Sequence, residues 1–131
     1  MRDFTKIRAW QLADDLAVAI YGITKKRFPD DERYGLTSQI RRAAVSVASN
    51  IAEGAKRSHT GDYLRFLEIA YGSLGEVEYQ LHLAHRLGYL SDEEYDALKA
   101  QRFEAGRSLY GLIATVRGQP PKSRVGGTDR S

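Results

Sequence analysis

Thr60-Gly-Asp-Tyr-Leu-Arg-Phe-Leu-Glu-Ile-Ala-Tyr-Gly-Ser-Leu-Gly-Glu-Val-Glu-Tyr-Gln-Leu-His-Leu-Ala-His-Arg-Leu87 holds no proline and no alternating run of β-branched residues. Leu67, Ala70, Leu74, Val77, Leu81 and Ala84 recur at alternating spacings of three and four. That period lines side chains along one side of an α-helix. A helix of about 28 residues is expected, roughly 42 Å long at the α-helical rise. Gly88 should stop it, because glycine is the usual residue just past a helix end.

The segments on either side read the same way. Upstream, Leu36 to Lys56 carries Leu36, Ile40, Ala43, Ala44, Val47 and Ile51 as its stripe. Before it, a helix from about Phe4 to Lys26 carries Ile7, Ala13, Leu16, Ile20 and Ile23, and Phe28-Pro29-Asp30-Asp31 ends it. Downstream, Ser91-Asp92-Glu93-Glu94 has the form of a capping box. After it, Tyr95, Leu98, Arg102, Ala105, Leu109, Leu112 and Val116 form a heptad seam with Arg102 as its polar intruder. The only prolines are Pro29, Pro120 and Pro121. Short links between long helices force neighbours antiparallel. The expectation is an all-α, antiparallel, up-down-up-down four-helix bundle over residues 1–118, followed by a disordered basic tail over 119–131.

At 131 residues the chain suits one domain with enough core to fold unaided. It has no cysteine, which removes disulfides, thiol catalysis and thiolate metal sites. No run approaches the roughly 20 apolar residues of a membrane span. The N-terminus lacks an apolar signal core. No membrane association and a cytoplasmic location are therefore expected. The net charge is +3, and residues 117–131 contribute four basic side chains against Asp129. In the rest, residues 33–65 hold six basic and two acidic residues, whereas 68–104 hold eight acidic and three basic. A segregated basic block is better evidence of an anionic partner than a high isoelectric point alone.

The third helix carries more apolar surface than one seam uses. Ile69, Gly72, Gly75, Tyr79 and Leu83 form a second stripe, and the fourth helix adds Phe103, Tyr110 and Ile113. A helix apolar on two sides is central in a larger core or lies at a subunit interface. A four-helix bundle has no central helix, so Ile69, Gly72, Tyr79 and Leu83 are expected at the interface of a homo-oligomer. The alternative is that these side chains widen a single core.

Catalytic motifs are missing. The chain has no Gly-x-Ser-x-Gly elbow, phosphate-binding loop or dinucleotide fingerprint. It also lacks the Glu-x-x-His pairs of di-iron bundles. Glu78, His82 and His85 lie on adjacent turns, but solvated or interface histidines explain them better than a metal does. Asn50 and Glu53, one turn apart, read better as polar residues fixing helix register than as a base and its orienter. No enzyme activity, metal or cofactor is expected.

Residues 39–54, Gln-Ile-Arg-Arg-Ala-Ala-Val-Ser-Val-Ala-Ser-Asn-Ile-Ala-Glu-Gly, closely resemble the signature of a bacterial family. Its members are called four-helix bundle proteins or ribosomal-RNA intervening-sequence proteins, and were once labelled as a ribosomal protein. The likeness continues through Phe66 to Glu76 and through Leu87-Gly88-Tyr89-Leu90, and covers about residues 3–117. It implies a ring of five bundles. The accessory variability protein of diversity-generating retroelements resembles the family too; it is a basic, nucleic-acid-binding pentamer that works with a reverse transcriptase. Other members are encoded inside insertions in large-subunit ribosomal RNA genes, and many are stand-alone.

In the matching stretch, Ala43, Ala44, Ala48 and Ala52 make the second helix thin, so neighbours can approach. Asn50, Glu53 and Gly54 are expected to form a buried polar node near the turn into the third helix. Arg41, Arg42, Lys56, Arg57 and Arg65 are the candidate nucleic-acid contacts, with Lys56 and Arg57 also placed to complement the helix dipole. Two readings result. In one, the protein is an accessory factor that binds RNA or DNA through phosphate contacts multiplied around a ring, without sequence preference. In the other, it is a structural or protein-binding adaptor whose basic block meets the acidic block of a neighbouring subunit.

Overall fold

The computed structural model describes residues 2–118. Four helices account for most of them: α1 (Arg8–Arg27), α2 (Leu36–Ala55), α3 (Thr60–Arg86) and α4 (Asp92–Val116). Helix packs on helix in the cyclic order α1–α2–α3–α4–α1, and the diagonal pairs keep their Cα atoms more than 8 Å apart. Side-chain links fix the directions. Arg27 at the end of α1 pairs with Glu94 at the start of α4 at 2.7 Å. Arg117, just past α4, pairs with Glu68 near the start of α3. Neighbours therefore run antiparallel, up-down-up-down. The expected tail over 119–131 lies outside the described residues.

The first helix begins later than expected. Asp3 Oδ1 accepts from the Thr5 amide at 3.0 Å and the Thr5 hydroxyl at 2.6 Å. That local bonding holds Phe4–Lys6 as a separate 3-10 turn, and Ile7 is extended before α1 begins. The ends of α3 and α4 follow their local chemistry. Gly88 sits at φ +82°; its amide bonds the His85 carbonyl and the Tyr89 amide bonds the Ala84 carbonyl, both at 3.0 Å. These are the two bonds of a Schellman stop. Ser91 and Glu94 form the reciprocal capping box, both bonds at 3.0 Å.

Every expected stripe residue of α2 and α3 is buried. The core positions of α1 and α4 are shifted slightly. Thr24 is buried and Ile23 only partly so, because the Thr24 hydroxyl donates to the Ile20 carbonyl at 2.7 Å and carries no unmet bond inward. Ile113, expected on the second stripe, belongs to the core. Ile69, Tyr71, Tyr79, Phe103 and Tyr110 stay exposed on α3 and α4. Gly72 is exposed beside them, while Leu83 is half-buried against the core.

Candidate nucleic-acid interface

Arg42 and Lys56 lie on one outward line of α2 with exposed Val45 and Ser49 between them. Fourteen residues of helix separate them by about 21 Å. Each end of that line gathers further cations, held in different ways.

At the α1–α2 end, Arg41 is folded back onto α1. Its Nε donates to Thr24 Oγ1 at 2.9 Å, Nη2 reaches the Tyr21 carbonyl at 3.4 Å, and the guanidinium lies 4.5 Å from the Tyr21 ring centre. Arg42, one position on, is exposed.

At the α2–α3 end, Lys56 caps α2 and projects into solvent. Arg57 Nη2 pairs with Glu53 Oε2 at 2.6 Å, while its Nε is enclosed without a partner. The Arg57 and Arg65 guanidinium groups lie 4.8 and 5.3 Å from the centre of one ring, Phe66. The α2–α3 turn thus sets Arg57 and Arg65 against one ring, with exposed Lys56 next to Arg57 in the chain.

Arg2 joins them and was not foreseen. Its Nη1 donates to the Arg57 carbonyl at 2.9 Å and the Ala55 carbonyl at 3.5 Å, and its guanidinium lies 4.0 Å over the Tyr63 ring. It satisfies carbonyls left open at the end of α2 and complements the negative end of that helix. Burial pushes the Tyr63 phenol up in pKa, and the Arg2 charge partly opposes this. Only the mixed character of the N-terminal segment hinted at such a role.

The polar node is built differently from the expectation. Asn50 Nδ2 donates to the Ser46 carbonyl at 2.8 Å and to Ser46 Oγ at 3.0 Å, and Ser46 Oγ meets Ser73 Oγ at 2.8 Å. The node is therefore Asn50–Ser46–Ser73, joining α2 to α3. Glu53 is not in it; its side chain is 46% exposed and faces Arg57. Gly54 is not polar cargo but a close approach: a Cβ there would stand 2.9 Å from Phe66 Cβ and 3.1 Å from Tyr63 Cδ1. Each residue turns the helix by about 100°, which throws Glu53 and Gly54 to opposite sides of Asn50.

The histidines find other partners. His85 Nε2 meets Asp92 Oδ1 at 2.7 Å and its ring stacks on Tyr95 at 4.3 Å. His82 is exposed. Among the described residues no group of three or more His, Asp or Glu side chains is arranged to hold a metal ion. Nor is any described helix long and apolar enough to cross a membrane. Arg102, the intruder in the α4 seam, is mostly covered, with its Nε enclosed and Nη2 3.8 Å from Glu78.

The chain is similar in structure to a protein of unknown function from the S23 ribosomal protein family of Bacteroides thetaiotaomicron. The two share 26% identity and a TM-score of 0.74, over 80% of this chain and 94% of that one. No curated protein matches. The 23S rRNA-intervening sequence protein family matches residues 5–111, which is most of the bundle from the first 3-10 turn into the last turns of α4. With that match and that fold, the chain belongs to the 23S rRNA-intervening sequence protein family.

Proposed function

We propose that this protein is a non-enzymatic accessory factor that binds RNA or DNA weakly and without sequence preference, as a ring-shaped homo-oligomer of five subunits. The observation that carries the reading is the α2–α3 corner, where Arg2 lies over Tyr63, Arg57 and Arg65 share the Phe66 ring, and exposed Lys56 caps α2 next to Arg57. Among the described residues Glu53 is the one carboxylate paired with any of them. Each phosphate neutralised there releases counterions, so affinity should fall steeply with salt. Repetition around a ring would turn several weak contacts into useful avidity. The experiment is an anisotropy titration of a duplex with wild type and Lys56→Glu/Arg57→Glu, at low and physiological salt. Uniform weakening across sequences, with the oligomer intact, is the expected result. Equal binding by the double variant, or no binding by wild type at low salt, overturns it.

The exposed apolar face of α3 and α4 favours a second reading. Among the described residues Ile69, Tyr79, Phe103 and Tyr110 stay largely exposed, and a Cβ on Gly72 or Gly75 would meet no described atom within 4 Å. Among the described residues those glycines have no packing reason, which supports a neighbour at this face from outside the bundle. On the adaptor reading that neighbour is another subunit or a partner protein, and the basic corner serves assembly.

A further inference from the structure

A groove of about 580 Å³ opens where α1 hands over to α2, and its lining combines cations with exposed aromatic rings. Tyr34 stands at its edge, 88% exposed, with the Arg33 guanidinium 5.9 Å from its ring centre. Tyr21 also lines it, 45% exposed and already covered on one side by Arg41. Among the described residues Lys25, Arg33, Arg41 and Arg42 all line the groove, against Asp30 as its one carboxylate. None of these four cations is in an ion pair among the described residues. The arrangement differs from the α2–α3 corner, where Arg57 is tied to Glu53 and the rings of Tyr63 and Phe66 are largely covered.

Such a lining suits one kind of anion better than others. An ordinary phosphate contact needs only the cations. An aromatic ring so fully exposed beside four unpaired cations suits a ligand that carries flat apolar surface and negative charge in alternation. A single nucleic-acid strand does, since its bases can be splayed onto aromatic faces while its phosphates track a basic groove. A duplex does not, because its base faces are already covered by one another. Arg41 is held ready for this by Thr24 and the Tyr21 carbonyl, so little of its side-chain freedom remains to be lost on binding.

We propose that this groove is a single-strand subsite, in which one unpaired base stacks on Tyr34 and the flanking phosphates meet Arg33, Arg41 and Arg42. The proposal rests on the nucleic-acid-binding reading and adds the class of nucleic acid. It assigns the two ends of α2 different tasks. The Lys56–Arg57–Arg65 corner holds backbone charge of any nucleic acid, and the Tyr21–Tyr34 groove selects for unpaired strand.

The test compares a labelled RNA strand of about 12 nucleotides with the duplex of the same sequence, by fluorescence anisotropy, on the full chain. Wild type should bind the single strand at least about tenfold more tightly than the duplex. Tyr34→Ala should weaken the single strand by about tenfold and leave the duplex unchanged, with the same salt slope. That ring is so exposed that its loss leaves the core untouched. Arg42→Ala should weaken the single strand and lower its salt slope by about one. A 2-aminopurine base in the strand should change its fluorescence on binding wild type but not Tyr34→Ala. Binding of both nucleic acids with no preference, or with no effect of Tyr34→Ala, overturns the subsite and leaves nucleic-acid binding standing. Failure to bind either at low salt overturns both.

Discussion

The Tyr89 hydroxyl donates to Glu32 Oε2 at 2.8 Å, tying the turn between α3 and α4 to the connection between α1 and α2. The other oxygen of the same carboxylate, Oε1, accepts from the Leu36 amide at 2.8 Å and so caps α2. Glu32 thus closes one end of the bundle, and Phe28 packs on the Tyr89 ring at 5.3 Å beside it. The Leu36 amide, and after it the Tyr89 hydroxyl, hold the Glu32 carboxyl below its ordinary pKa range. A lowered folded-state value means that the stabilisation is complete above the ordinary carboxylate range and is lost as pH falls from that range through the lowered folded-state value. Glu32→Ala should therefore unfold at lower urea than wild type at neutral pH, and the gap should narrow below about pH 4. A gap that stays constant across that range would show that the charge on Glu32 does not matter.

Asn50 and Glu53 should behave differently, although they lie one turn apart. Asn50→Ala removes a donor from a part-buried network and leaves Ser46 with less to bond, which costs about 1–2 kcal/mol. Glu53→Ala removes only a half-exposed ion pair, and exposed pairs contribute about 0.2–1 kcal/mol. Urea titrations of both variants measure the difference. Equal losses would place Glu53 in the node after all.

These contrasts separate what periodicity can disclose from what it cannot. The seam of α3 was legible because six apolar residues follow the helical period without interruption, and all six are buried. The capping box at Ser91 was equally legible, since its two bonds join residues three apart. Thr24 was missed because hydropathy counts its hydroxyl as polar, whereas the helix supplies an acceptor one turn back. Arg2 and Glu32 were missed for a different reason. Their partners lie 53 to 57 positions away, at Ala55, Arg57 and Tyr89, and only the antiparallel closure brings them near. That Arg57 and Arg65 meet at Phe66 is legible from the short α2–α3 turn, whereas Arg2 reaches the same corner from near residue 1.

The glycines of α2 and α3 make a paired prediction. Gly54→Ala drives a methyl into Phe66 and Tyr63, and overpacking of this kind costs about 1–3 kcal/mol. Gly72→Ala and Gly75→Ala meet open space, so each should stabilise the isolated helix by up to about 1 kcal/mol. On the proposed oligomer the same two variants should weaken assembly, because the added methyl would stand between subunits. Light scattering over a dilution series, read beside thermal melts, distinguishes these effects. Unchanged assembly in both variants would remove Gly72 and Gly75 from the interface.

Glu53 offers a sharper test of the basic corner than removing a cation does. Its carboxylate holds Arg57 at 2.6 Å and cancels one of the charges that converge on Phe66. Glu53→Gln keeps the shape of the side chain and removes the negative charge, so Arg57 is released for a phosphate. Because the pair is half-exposed, folding should change little. Affinity for a duplex should rise several-fold at low salt, and the logarithmic salt slope should steepen by somewhat less than one, as for one extra phosphate contact. Both gains should disappear when Arg57→Ala is added, because the released guanidinium is their source. The adaptor reading makes the opposite forecast: if the corner meets acidic side chains of a neighbouring subunit, Glu53→Gln should strengthen assembly and leave nucleic-acid binding unaltered. Anisotropy titrations and light scattering on one preparation of the variant decide between them.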